Sequence, residues 1–297
     1  MIHLLKKLVP RKIKRRLRAE FKKFLSEDYE TIIQYYNCYL PYQKDSHAYL
    51  VTRDGLSNRA SPSEFEVPPE GLCLVYAESV KDFLESGQRL VKSMRQILKE
   101  SGFVFEPGSR ILDFGCGAGR MIRWLKDVAS LSEIWGVDIR MESILWCQQN
   151  LSPPFKFATI TTTPHLPFED RTFDLICAGS VFTHIDDLAD AWFLELRRVL
   201  KPGGLLYVTI HDQHTLGLLK GKMSETHLAK SLERHSEWAE YPRHGFEMFT
   251  IGRAVNSQVF YDLNSLSKRL ENLLYQVVSV TKEAYEYQTA LLLRKGG

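Results

Sequence analysis

The sequence predicts an α/β fold: a doubly wound, mostly parallel sheet covered by helices on both faces. Three observations predict it. From residue 109 onward, short apolar runs alternate with segments of helical spacing. A glycine-rich turn, Gly115 to Gly119, follows the first of those runs directly. The segment "YQVVSVTKEAYEYQTALLLR" holds two strand-like runs with only a few residues between them, which requires them to pair antiparallel.

Taken in order, "RILDF" is a short apolar strand and "RMIRWLKDVA" has helical spacing. "IWGVDI" reads as a strand and "MESILWCQQN" as a helix. "FKFAT" and "FDLICA" read as strands, "DLADAWFLELRRVL" as a helix and "GLLYVTI" as a strand. Ahead of these, a helix runs from about Glu78 to Glu100 and stops at Gly102. An irregular stretch between His211 and about Tyr261 is too long for a turn and reads as a lid over a substrate. These features divide the chain into a helical extension and linker, residues 1–77, and a domain, residues 78–297, with a lid-like insertion near 212–260.

The extension carries most of the charge asymmetry. Residues 1–23 have a net charge of +9 against −6 for the rest, summing to +3. Ile13, Leu17, Phe21, Phe24 and Leu25 form one helical face, turned away from Arg11, Lys12, Arg15, Arg16, Arg18 and Lys22. Such a helix suits a lipid interface, so residues 1–26 are a candidate peripheral membrane contact. Docking of the same stripe on the domain is the alternative. Nucleic acid is not an expected partner, because the remaining chain is net acidic and no RNA-binding module is visible. Five scattered cysteines without a C-x-x-C pair argue against a disulfide framework or zinc site and for a reducing compartment. No apolar run approaches the ~20 residues of a membrane span, and the start lacks a secretory h-region. A cytoplasmic location, with contact to the inner face of a membrane, is the expectation.

In a doubly wound fold, ligands sit at the carboxyl ends of the strands where strand order reverses. Gly115, Gly117 and Gly119 allow positive φ and close backbone approach at the first such end. Asp138, 19 residues past Gly119, closes the next strand and can accept both hydroxyl protons of a ribose. The spacing is G-x-G-x-G rather than G-x-G-x-x-G, and Asp113 stands two residues ahead of it. An acid there repels a pyrophosphate but suits a ligand with an ammonium and a sulfonium. That charge logic favours S-adenosyl-L-methionine over a dinucleotide, and no Lys-Ser or Lys-Thr follows to make a P-loop.

"LDFGCGAGR", "GVDI", "FDLICAGSVFTHI" and "LRRVLKPGGLLYVTIH", in that order, resemble class I S-adenosylmethionine-dependent methyltransferases over about residues 103–211. The resemblance implies a Rossmann-like, seven-stranded sheet whose last two strands are the antiparallel pair. It places Gly115, Gly117 and Gly119 along the methionine part, Asp113 near the ammonium, Asp138 on the ribose and Ile139 against adenine. Ala178 to Ser180 would face the cofactor's amino-acid end. Where many relatives carry an aspartate before "LPF", this chain has Thr162 and Thr163, so the adenine amino group would meet a threonine hydroxyl or backbone. "VPPEGL", the "FLESG" helix and "SVFTHI" followed by Trp192 resemble a bacterial branch linked with cell-surface glycan synthesis.

A hydroxyl acceptor must lose its proton during methyl transfer, so a base is sought. His184 and His211 sit at strand ends and are the candidates. Asp212 follows them, while His214 reads as a solvated loop residue. Each histidine also has a structural reading, as a cap or as packing. Arg120 could hold a carboxylate, and Trp238, Tyr241, Arg243, His244 and Phe246 could form either a sugar site or a plain lid core. No metal set stands out. The leading expectation is methyl transfer to a hydroxyl of a glycan or other small molecule. An RNA methyltransferase using the basic arm and a non-catalytic cofactor-binding module are the alternatives.

Overall fold

A computed structural model describes residues 64–73, 77–234, 245–252 and 257–296. The apolar stripe from Ile13 to Leu25, the basic face opposite it and most of the 40–70 connection lie outside the described residues.

The parallel part of the sheet consists of β1 (Arg110–Phe114), β2 (Glu133–Asp138), β3 (Lys156–Thr159), β4 (Phe173–Ala178) and β5 (Leu200–Ile210). The antiparallel pair is β8 (Tyr275–Tyr285) and β9 (Gln288–Lys295), while β6 (Met248–Ile251) and β7 (Gln258–Tyr261) form a separate hairpin. The seven-stranded order is β3-β2-β1-β4-β5-β9-β8. Strands β1 to β5 pair in parallel, and β9 runs antiparallel between β5 and β8. The predicted fold class is therefore the observed one. Strand order reverses between β1 and β4, which places the ligand crevice of such a sheet at their carboxyl ends.

Adjacent residues of each strand serve opposite faces. Ile111, Leu175, Leu205 and Leu292 join one core; Leu112, Ile176, Leu206 and Leu293 join the other. Against the first packs α2 (Val80–Glu100), following the short α1 (Glu70–Cys73). Ser79 caps α2 by accepting from Asp82 N at 3.0 Å, and Leu90, Met94 and Leu98 supply its buried face. Gly87 lets this helix cross the glycine turn, because a Cβ there would lie 2.2 Å from the Arg120 carbonyl oxygen.

The segment "RMIRWLKDVA" is not one helix. Gly119 has φ +79°, outside any right-handed helix, and Trp124 N bonds to Met121 O in the tighter i−3 pattern. A 3₁₀ turn, Ile122–Leu125, and a single α turn, α3 (Lys126–Ala129), take its place. Next along the chain come α4 (Met141–Asn150) and α5 (Ala189–Val199); α4 packs on the first face, and α5 on the second through Trp192, Phe193 and Leu196. Strand β5 starts four residues before "GLLYVTI", because Leu200 already pairs with Phe173.

The insertion has structure of its own: α6 (Gln213–Lys220), α7 (His227–Leu232) and the β6–β7 hairpin, gathered around Leu216, Leu219, Leu232, Ile251 and Phe260. A last helix, α8 (Leu263–Asn272), precedes β8 and buries Leu266 and Leu270 in the second core. Residues 64–73 pack on the domain rather than trail from it. Phe65 lies 5.5 Å from Phe155, and Arg123 donates to the Glu66 carbonyl at 2.5 Å. No helix among the described residues is long and apolar enough to cross a membrane.

Candidate functional site

The turn after β1 is held first by backbone. Gly115 N and Cys116 N both donate to the Val137 carbonyl, at 2.8 and 3.0 Å, which ties the turn to β2. Gly115 has φ +81°, and a Cβ on it would fall 2.3 Å from Val181 Cγ2. Glycine is required there twice over, for conformation and for space. The turn runs on to residue 121 before any helical hydrogen bonding starts, so the predicted helix start at Gly119 or Arg120 falls later.

Asp138 lies at the end of β2 and is buried. Its Oδ2 accepts from Gly117 N at 2.7 Å and its Oδ1 from Arg140 N at 2.8 Å. The carboxylate thus staples the glycine turn, and each oxygen keeps a lone pair for a ligand hydroxyl. Asp113 is 4% exposed, and its Oδ2 has no hydrogen-bond partner. Burial, reinforced by the Asp138 charge, pushes its carboxyl up to about 7. An orphaned acid oxygen beside bare backbone fits a ligand that brings an ammonium group. Ile139 is 50% exposed just past β2, an apolar side chain left available to a flat ring. Thr162 and Thr163 are exposed after β3. All these residues lie at the carboxyl ends of the parallel strands, as the sequence predicts.

Ser180, just beyond β4, has φ +59° and a wholly internal set of partners. Its N–H donates to Thr209 Oγ1 at 2.7 Å, and its Oγ accepts from Gln288 Nε2 at 2.8 Å. Thr209 closes the ring by donating to Gln288 Oε1 at 2.6 Å. Thr209 and Gln288 escaped sequence reasoning. Their signal is a polar residue near the end of an apolar strand run, Thr209 late in β5 and Gln288 at the start of β9, which reads more readily as a boundary than as a buried support.

His184 is exposed, while its Nδ1 lies 2.7 Å from the Ser257 carbonyl. A carbonyl only accepts, so Nδ1 carries the proton, and Nε2 keeps a lone pair with no partner among the described residues. The protein packed around the ring lowers its pKa below 6.5, against the pull of the Ser257 carbonyl. The neutral, proton-accepting form therefore holds at neutral pH.

His211 is placed otherwise than the sequence suggests. It is 1% exposed, and neither ring nitrogen has a hydrogen-bond partner. The ring lies between Phe260 and Tyr287, at 4.9 and 5.6 Å. Burial, with His184 nearby, drives its pKa down to about 3. The His211 ring is closed off from solvent while His184 is exposed, so of the two histidines His184 is the one open to an acceptor in this structure.

The other candidates are also engaged. Asp212 is buried and caps α6 by accepting from Thr215 N at 3.0 Å. His214 belongs to α6, not to a loop, and pairs with Glu283 at 2.9 Å. Arg120 bonds Glu286 at 2.9 Å and lies 5.5 Å over the Tyr285 ring, a structural use of its charge. Phe246 packs on Phe249, whereas Trp238, Tyr241, Arg243 and His244 lie outside the described residues. The four described cysteines are buried thiols, and no metal-binding cluster occurs among the described residues.

Residues 112–208 match the family model described as a methyltransferase domain. A sterol 24-C-methyltransferase of Schizosaccharomyces pombe is 34% identical over 108 residues, 35% of this chain and 28% of that protein. A 2-methyl-6-phytyl-1,4-hydroquinone methyltransferase of Synechocystis is 34% identical over 138 residues, 45% and 41% of the two chains. A crystal structure of magnesium protoporphyrin IX methyltransferase from Synechocystis with bound S-adenosylhomocysteine is 17% identical, with a TM-score of 0.48. It covers 73% of this chain and 87% of that one. The chain spans only about a quarter to a half of the length of the curated relatives it matches.

Proposed function

We propose that the protein is a class I S-adenosylmethionine-dependent methyltransferase that methylates a hydroxyl of a glycan or other small molecule; the match of residues 112–208 to a methyltransferase domain supports the reading. The cofactor, S-adenosyl-L-methionine, supplies the methyl group as an electrophile on a sulfonium. Gly115, Gly117 and Gly119 would line its methionine part, Asp113 would accept from its ammonium, and Asp138 would hold the ribose. Ile139 would cover the adenine, with Thr162 at the adenine amino edge and Ser180 at the amino-acid end.

One observation carries the hydroxyl reading. His184 Nδ1 is committed to the Ser257 carbonyl, which leaves Nε2 free as a proton acceptor at the carboxyl end of β4. An acceptor hydroxyl would give its proton to Nε2 as its oxygen takes the methyl carbon; the carbon–sulfur bond would break, the sulfur would leave as a neutral thioether, and the imidazole would become an imidazolium. A base of this kind contributes about 10²–10⁴ in rate. The glycan assignment is supported by the resemblance of "VPPEGL", "FLESG" and "SVFTHI" to a surface-glycan branch.

A second reading takes its observation from the comparisons. Matched relatives include the hydroquinone methyltransferase and a demethylmenaquinone methyltransferase of Staphylococcus aureus, which points to a lipid-borne quinol acceptor. Residues 1–26 are proposed to hold the chain at an anionic membrane surface, where either a lipid-linked glycan or a quinol is found. Labelled S-adenosylmethionine added to source-cell extract, split into lipid, glycan and RNA fractions, tests the scheme. Label in a glycan or water-soluble small molecule supports the first reading, and label in a quinol supports the second. Label in RNA, or none in any fraction, overturns both. Cosedimentation with anionic liposomes, with and without residues 1–26, tests the membrane contact.

A further inference from the structure

The His184 loop is held by one strand of the insertion. Strand β7 and the residue before it meet the loop at alternate positions. The Ser257 carbonyl accepts from His184 Nδ1 at 2.7 Å, and Val259 N donates to the Thr183 carbonyl at 2.8 Å. Tyr261, wholly buried, turns its hydroxyl onto the Ile185 carbonyl at 2.8 Å and the Phe182 carbonyl at 3.2 Å. Residues 257, 259 and 261 thereby engage residues 182–185 along the whole loop. The same strand is tied to β5, since Tyr261 N donates to the His211 carbonyl at 2.9 Å.

We infer that Tyr261 is a positioning residue for His184, and that β7 sets the tautomer in which His184 works. The inference rests on the reading of His184 as the base. Packing alone does not account for the Tyr261 hydroxyl. The ring already fills its place in the core beside Leu266, and a phenylalanine would fill it equally. What the hydroxyl adds is a hold on the carbonyls flanking His184 on both sides. With that hold the imidazole stays where Ser257 can take its Nδ1 proton. Without it, the loop relaxes and the two tautomers interconvert, so Nε2 is a lone pair for only part of the time.

Long-range ¹⁵N–¹H spectra of histidine-labelled protein read the tautomer directly, with His184 assigned by comparison with His184→Gln. The wild-type protein at pH 8 should show His184 protonated on Nδ1; protonation on Nε2 overturns the inference without any variant. Tyr261→Phe should show averaged tautomers. It should also transfer label from S-[methyl-³H]adenosylmethionine, into the extract fraction that the wild type labels, about 10- to 100-fold more slowly. Its KM for the cofactor should be unchanged. If His184→Gln labels that fraction at the wild-type rate, the base reading fails and takes the inference with it. If His184→Gln is slow but Tyr261→Phe matches the wild type in rate and tautomer, the base stands and the positioning role is refuted. A Tyr261→Phe protein that no longer binds cofactor leaves the decision with the wild-type tautomer.

Discussion

Replacing Asp113 by asparagine should move stability and cofactor affinity in opposite directions. The buried carboxyl has a pKa raised from 3.8 to about 7. A group with a raised native pKa stabilises the fold while it is protonated in both states, below about 3.8. That stability is lost as pH rises toward and through 7, because the unfolded chain ionises first. About three decades of proton affinity, at about 1.4 kcal/mol each, set the loss at pH 8 at no more than ~4 kcal/mol. Asparagine cannot ionise and escapes that loss, though its amide must find a partner of its own. At about 2–4 °C per kcal/mol for a domain of this size, cofactor-free Asp113→Asn should melt up to ~16 °C higher at pH 8. The gain should shrink toward zero near pH 4. Its affinity for S-adenosylmethionine should fall about 10- to 100-fold, as for the loss of a hydrogen bond between charged groups. Scanning calorimetry from pH 4 to 8 and titration calorimetry at pH 8 check both halves. A melting difference that stays constant with pH would refute the linkage, and an unchanged affinity would place the ammonium elsewhere.

His184→Ala should lower kcat by about 10²–10⁴ while cofactor affinity is kept, measured by label transfer and calorimetry. In the wild type, the acid limb of kcat/KM should have its midpoint below 6.5, because burial lowers the His184 pKa and activity is lost as pH falls through it. His211→Phe should keep most of kcat, since the ring is sealed between Phe260 and Tyr287; a 10²-fold loss would restore His211 as a candidate base. Gly115→Ala should cost about 1–3 kcal/mol in denaturant unfolding, from its φ of +81° and the contact with Val181, and Gly115→Ala with Val181→Ala should recover part of it.

The parallel sheet was legible because most of its strands are built on short apolar runs and most of its connecting helices are periodic. Those signals are local. The glycine turn and Asp138 were equally legible, since φ > 0 and a strand-end carboxylate are written into residue type and spacing. What escaped was decided by contacts far apart in sequence. Ser180 is supported by Thr209 and by Gln288, 29 and 108 residues away, and nothing in either stretch points to the other. His184 and His211 occupy equivalent strand-end positions in the sequence. Only the arrival of Phe260 and Tyr287 seals one, while the Ser257 carbonyl orients the other. The helix expected across Arg120–Ala129 failed for the opposite reason. A local feature, Gly119 in the left-handed region, outweighed a good hydrophobic period.

Strand β9 is the last strand in sequence, but it occupies an interior place between β5 and β8. Until Gln288–Lys295 has been made, β5 presents an unpaired edge, with Leu206, Val208 and Ile210 lacking the neighbours they later share. An exposed apolar edge of that kind is a template for pairing with other chains. A nascent chain stalled or cleaved ahead of residue 288 is therefore an aggregation hazard rather than a slightly shortened domain.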